Sequence, residues 1–201
     1  MQPDALTRLM QQTPIALVIL RGLLGPILLL AALTGHTGPW FLVGFLIGFF
    51  SDIFDGILAR RLGVSTAALR RADSWADTGF YLCIFVSAWW LHPELVRAFA
   101  LPLELVVAAQ GLWWMVNLAK YGKPASYHTY SAKLWGITLA IAVICWFGFG
   151  YAGIALWLAI GVGLLHTIEE IAMTLILPTW QHDVLSFWHA LKSDQLNSEN
   201  Q

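Results

Sequence analysis

The chain has 201 residues, 58% of them apolar and 11% charged, with a net charge of −1. So few charges exclude an ordinary soluble domain, where about a quarter of residues are charged. The near-zero charge gives nucleic acid nothing to hold, and the composition is that of a polytopic membrane protein, all-α because each span must satisfy its own backbone in lipid.

At the N-terminus, MQPDALTRLMQQTP lacks the basic start and small-residue cleavage site of a signal peptide, so the first span is expected to be retained. PDALTRLMQQ places Leu6, Leu9 and Met10 on one helical face, the pattern of a helix lying in the membrane interface. Apolar runs of about 20 residues, the length that crosses the hydrocarbon, then predict six transmembrane helices near residues 14–34, 40–60, 74–92, 98–119, 132–150 and 152–177. GHTGP at 35–39 and GYAG at 150–153 are tight turns between antiparallel neighbours. In the second run Gly44 and Gly48 form a GxxxG, for close packing inside the bundle or for a dimer seam. Trp40, Trp89, Trp90 and Trp180 stand near span ends, as headgroup anchors do. After the last run, DVLSFWHALK puts Val184, Leu185, Trp188 and Leu191 on one face, a second interfacial helix. With Arg8, Arg60, Arg61, Arg70, Arg71, Lys120, Lys123, Lys133 and Lys192 on one side and Arg97 on the other, both termini are predicted to be cytoplasmic. No repeat or linker divides the chain, so one membrane domain is expected over 1–201. Cys83 and Cys145 sit in separate apolar runs and read as packing residues, not a disulfide or thiolate metal site.

The segment SDIFDGILARRLGVSTAALRRADSWADTGF interrupts this apolar pattern. Asp52 and Asp55 are three apart and Asp73 and Asp77 four apart, so each pair shares a helical face. The short loop between them makes their helices antiparallel neighbours and lets four carboxylates converge. Carboxylates facing one another in low dielectric repel and need compensation. Ion pairs to Arg60, Arg70 or Arg71 could supply it, but four acids in two helical pairs beside the small Gly56 fit divalent cation better. Oxygen-only ligands favour Mg²⁺ or Mn²⁺, and four shared acids suit two ions.

These residues resemble the CDP-alcohol phosphatidyltransferase family, whose pattern is D-x2-D-G-x2-A-R-x8-G-x3-D-x3-D. Asp52, Asp55, Gly56, Ala59, Arg60, Asp73 and Asp77 match it over 52–77, with Leu69 in place of the second glycine. The resemblance implies that Asp52, Asp55 and Asp73 bind metal and that Asp77 is both ligand to a second metal and general base. It also implies that Gly56, Ala59, Arg60 and Thr66 form the nucleotide contact. An integral membrane transferase of phospholipid synthesis is then expected. Its phosphatidyl donor would be CDP-diacylglycerol or another CDP-alcohol, its acceptor an alcohol, its by-product CMP, its active site cytoplasmic and its assembly a homodimer. A divalent-cation carrier and an inactive relative are the competing readings; clustering of the acids at one membrane face disfavours the first.

Other polar groups fall in the same layer. Arg21, inside LVILRGLLGP, is either a contact to lipid phosphate or a buried partner of Glu169 or Glu170. His166, Glu169 and Glu170 in HTIEE read as a hydrogen-bonded bundle cluster in preference to a metal site. Lys133 opens the fifth span where an anionic acceptor would arrive, or is a positive-inside anchor.

Overall fold

The computed structural model describes residues 5–64 and 66–192. Among them the regular secondary structure is helical: α1 (Ala5–Leu33), α2 (Pro39–Arg61), α3 (Ala67–Leu91), α4 (Pro93–Ala98), α5 (Ala100–Tyr121), α6 (Tyr130–Phe149) and α7 (Gly153–Ile176). Five of these, α1 from Gln12 on, α2, α5, α6 and α7, are long and apolar enough to cross a membrane. The chain is therefore an all-α, polytopic membrane protein. The expected third span, 74–92, falls on the later part of α3, which has 25 residues, and on its C-cap His92. It falls short on apolarity because Arg70, Arg71, Asp73, Ser74, Asp77 and Thr78 occupy its first half.

The helices group into two compact units, one ending at Val96 and the other beginning at Arg97. In the first, α1 packs along both α2 and α3, whereas α2 and α3 touch each other only sparingly. The short loop brings the ends of α2 and α3 together as expected, and their direct contact runs through Phe80 of α3 against Gly48 and Phe45 of α2, while α1 packs along both. Small residues permit the close approach. A side chain at Gly44 would meet Leu28 Cδ2 at 2.9 Å, and one at Gly48 would run into the Phe80 ring. The GxxxG thus serves packing within the bundle. Phe80 is buried and stacks on Phe45 with ring centroids 5.8 Å apart.

Local signals set the α2–α3 connection. Gly63, at φ 68°, ends α2, with Val64 N–H donating to the Ala59 carbonyl at 3.1 Å and Gly63 N–H to that of Arg60 at 3.3 Å. This is the Schellman pair of bonds, which favours glycine at the left-handed position. Thr66 then caps α3, its Oγ1 accepting from Leu69 N–H at 3.1 Å.

In the second unit α7 packs on both α5 and α6. Asn117 is the buried residue of α5, while Leu101 and Val107 are exposed. A water-facing helix would not present such a face; lipid accepts it without cost. Thr129 caps α6 by accepting from Ala132 N–H at 3.1 Å. The segment after α7 folds back onto the unit: Val184 and Ala190 join Tyr127, Met173 and Leu177 in a core, and Trp188 is exposed. Val184, placed by its periodicity on a membrane-facing surface, is thus a core residue. The proposed interfacial face at the N-terminus, carried by Leu6, Leu9 and Met10, lies outside the residues whose side chains are described; the backbone from Ala5 is helical and continuous with α1.

Candidate active site

Asp52 and Asp55 lie on α2, Asp73 and Asp77 on α3, and Arg21 comes from α1 into the space among them. Arg21 is 1% exposed, among the largest fully buried side chains of the described residues. Its Nη1 lies 3.1 Å from Asp52 Oδ1, its Nη2 3.1 Å from Asp55 Oδ2, and its Nε 2.7 Å from Asp77 Oδ1. Nη2 also donates a hydrogen bond to Asp73 Oδ1. One guanidinium thus faces one oxygen from each of four carboxylates. The bond to Asp73 is aligned, whereas Arg21 Nε and Nη1, Asp55 Oδ2 and Asp77 Oδ1 are buried in ion-pair contact without hydrogen-bond alignment. Asp55 is the buried acid; Asp52, Asp73 and Asp77 are partly open, with side chains 38%, 27% and 32% exposed.

Four carboxylates against one guanidinium leave three negative charges in a layer where each uncompensated charge is costly. Asp52, Asp55 and Asp73 each offer an oxygen, and these three atoms lie within 4.8 Å of one another. An all-oxygen set of this size, in a cluster with more acids than basic partners, fits a hard divalent cation such as Mg²⁺ or Mn²⁺. Asp77 stands outside that triad, against Arg21 Nε.

The expected nucleotide contacts lie on the turn beyond the acids. The Arg60 guanidinium folds back over Gly56, where an added Cβ would sit 3.5 Å from Nη1. Ala59 is buried, whereas Arg60 and Thr66 are exposed. The Thr66 oxygen is already in use as the α3 cap, which leaves its O–H free to donate. Leu69 is half-buried, and its N–H is the one Thr66 caps. Along the α1–α2 seam an apolar groove of about 360 Å³, lined by Leu17, Leu20, Val43, Ile47 and Phe50, reaches Ser51, the chain neighbour of Asp52.

The second unit holds a separate polar cluster. Ser131 donates to Glu169 and lies 3.3 Å from His166 Nδ1. Thr129 Oγ1 is 3.5 Å from Glu170 Oε1, and Phe187 N–H donates to Glu169 Oε1 at 2.9 Å. Tyr127 and Asn117 both meet Thr174 Oγ1, at 3.0 and 3.2 Å. This is the hydrogen-bonded bundle cluster expected of HTIEE, and it ties the C-terminal segment to α7. The ion pairs of Arg21 within the first unit go to the four aspartates, and within the second the glutamates meet hydroxyls and a backbone N–H. Sequence depth had placed Arg21 in the right layer. Its role as common partner of all four acids was missed, because spacing within α2 and α3 says nothing about which helix packs along both. Lys133 is exposed, with Nζ 5.3 Å from the centre of the Tyr130 ring.

The described residues thus define a multi-pass helical membrane protein with a carboxylate cluster that could hold a divalent cation. The family model for CDP-alcohol phosphatidyltransferase matches residues 11–165, and the chain belongs to that family. It is an enzyme of that type, a transferase of phospholipid biosynthesis, with a buried aspartate cluster able to take a divalent cation. No curated protein and no solved structure matches the chain significantly.

Proposed function

We propose that the enzyme transfers a phosphatidyl group from CDP-diacylglycerol to the hydroxyl of an acceptor alcohol, at a Mg²⁺- or Mn²⁺-loaded site on the cytoplasmic face. The observation that carries this reading is the triad of oxygens from Asp52, Asp55 and Asp73 within 4.8 Å, with Asp77 beside it. Asp52, Asp55, Asp73 and Asp77 would hold two ions, whose chemistry is to stabilise charge on the pyrophosphate. Arg60 pairs with a donor phosphate as charge-assisted hydrogen bonds allow. Gly56 and Ala59 offer the nucleotide a face without bulk, and Thr66 donates its O–H.

In the reaction the acceptor oxygen forms a bond to the lipid-side phosphorus, the bond from that phosphorus to the CMP oxygen breaks, and Asp77 takes the acceptor proton. The apolar groove between α1 and α2 favours a lipid-linked donor over a small CDP-alcohol, since it offers acyl chain a seat on the helix that carries Asp52. We read α3 as a sixth span, which sets both termini in the cytoplasm, in keeping with the Lys and Arg distribution. The family match runs through both compact units, which supports one catalytic domain over 1–201. A homodimer is expected by the same kinship.

The test is purified protein in nanodiscs with CDP-diacylglycerol and a panel of acceptors: glycerol 3-phosphate, inositol phosphate, serine and phosphatidylglycerol. One acceptor should yield a new phospholipid with equimolar CMP. Absence of CMP and of lipid product across the panel, with metal supplied, removes the assignment's support.

A further inference from the structure

We propose that Arg21 is the positioning residue of the metal centre, the group that joins its two halves. The proposal rests on the reading of the aspartate cluster as a divalent-cation site. The two acid pairs come from helices that barely touch each other, and each packs on α1. Beyond the Phe80 ring against Gly48 and Phe45, α2 and α3 share little packing that could set the distance from Asp52 and Asp55 to Asp73. Arg21 does so chemically: its guanidinium bridges Asp52 and Asp55 on one side to Asp73 and Asp77 on the other, meeting one oxygen of each.

The anchor is stiff. Arg21 is 1% exposed and is flanked by helix contacts that leave little slack: a side chain at Gly25, one turn on, would stand 3.0 Å from the Phe80 backbone of α3. A planar guanidinium with five N–H donors can serve carboxylates arriving from several directions, which an ammonium on a flexible stem cannot do with the same fixed geometry. Arg21 also offsets one of the four negative charges, so the acids can approach one another within the 4.8 Å that a common ion requires of Asp52, Asp55 and Asp73. Groups that orient metal ligands in this way commonly set affinity by about 10- to 100-fold.

The test is Mn²⁺ binding to full-length protein in detergent, measured by electron paramagnetic resonance of the free ion, for wild type, Arg21→Met and Arg21→Lys, with thermal unfolding recorded alongside. Arg21→Met should bind Mn²⁺ at least about 10-fold more weakly. Arg21→Lys, which keeps the charge and loses the fork, should fall between the two while unfolding close to wild type. Should Arg21→Met fail to fold, the lysine variant alone decides. Affinity equal to or tighter than wild type in a folded variant overturns the proposal and marks Arg21 as a competing counter-ion. The transferase reading fails separately, if wild type binds Mn²⁺ yet releases no CMP, and the variant affinities still judge Arg21 in that case.

Discussion

Gly48→Ala should loosen the first unit and weaken metal binding although it removes no charged group. Gly48 sits on the buried face of α2, four residues before Asp52, and an added Cβ would enter the Phe80 ring. Carbon atoms need about 3.5–4.0 Å, so either the ring or the helix must yield by roughly an ångström. Phe80 has nowhere to go. It is 1% exposed, its ring stacks at 5.8 Å on the buried Phe45, and its backbone lies against Gly25. Overpacking of this kind costs about 1–3 kcal/mol, and the strain falls between α2 and α3, which carry the acid pairs. Thermal unfolding in detergent should therefore fall by several degrees, with Mn²⁺ affinity reduced in parallel. The double variant Gly48→Ala/Phe80→Leu should recover part of both, because leucine withdraws the far edge of the ring. A Gly48→Ala protein with wild-type unfolding and wild-type Mn²⁺ binding would refute the packing account.

Gly56→Ala is the contrasting case. Its Cβ would meet only the mobile end of Arg60, at 3.5 Å, so stability should hold while the KM for the CDP donor rises, as steady-state CMP release would reveal. Thr66→Ala removes the α3 cap and should cost about 1 kcal/mol in thermal unfolding. Thr66→Asp restores the cap acceptor, so its thermal unfolding should return toward wild type.

Periodicity and length were enough to read the helices, because an apolar span states its own boundaries: the expected 132–150 and 152–177 are α6 and α7 to within a few residues. The 52–77 pattern likewise showed which acids share a face, since three- and four-residue spacing is a local property. The packing order was not legible. That α1 packs along both α2 and α3 depends on Gly25 receiving Phe80 and Gly44 receiving Leu28, while Gly48 admits the Phe80 ring to α2, and a small residue does not announce its partner. The partners of Arg21 are illegible for the same reason: depth along a helix can be counted, but azimuth relative to other helices cannot. The C-terminal segment shows the limit of amphipathic patterns. Val184 satisfies the membrane-face periodicity, yet its place is a core with Tyr127 and Met173.

The most direct test of the central claim, that the aspartate cluster is a cation-dependent transfer site, is CMP release from CDP-diacylglycerol by wild type and Asp77→Asn, each with Mg²⁺ and with chelator, beside Mn²⁺ binding. Asp77 stands outside the triad of Asp52, Asp55 and Asp73, so Asp77→Asn should still bind Mn²⁺ at the triad while losing affinity for the second ion. Its CMP release should drop by about 100-fold or more, as loss of a general base does, and chelator should silence wild type. CMP release that survives either the substitution or the chelator would contradict the account.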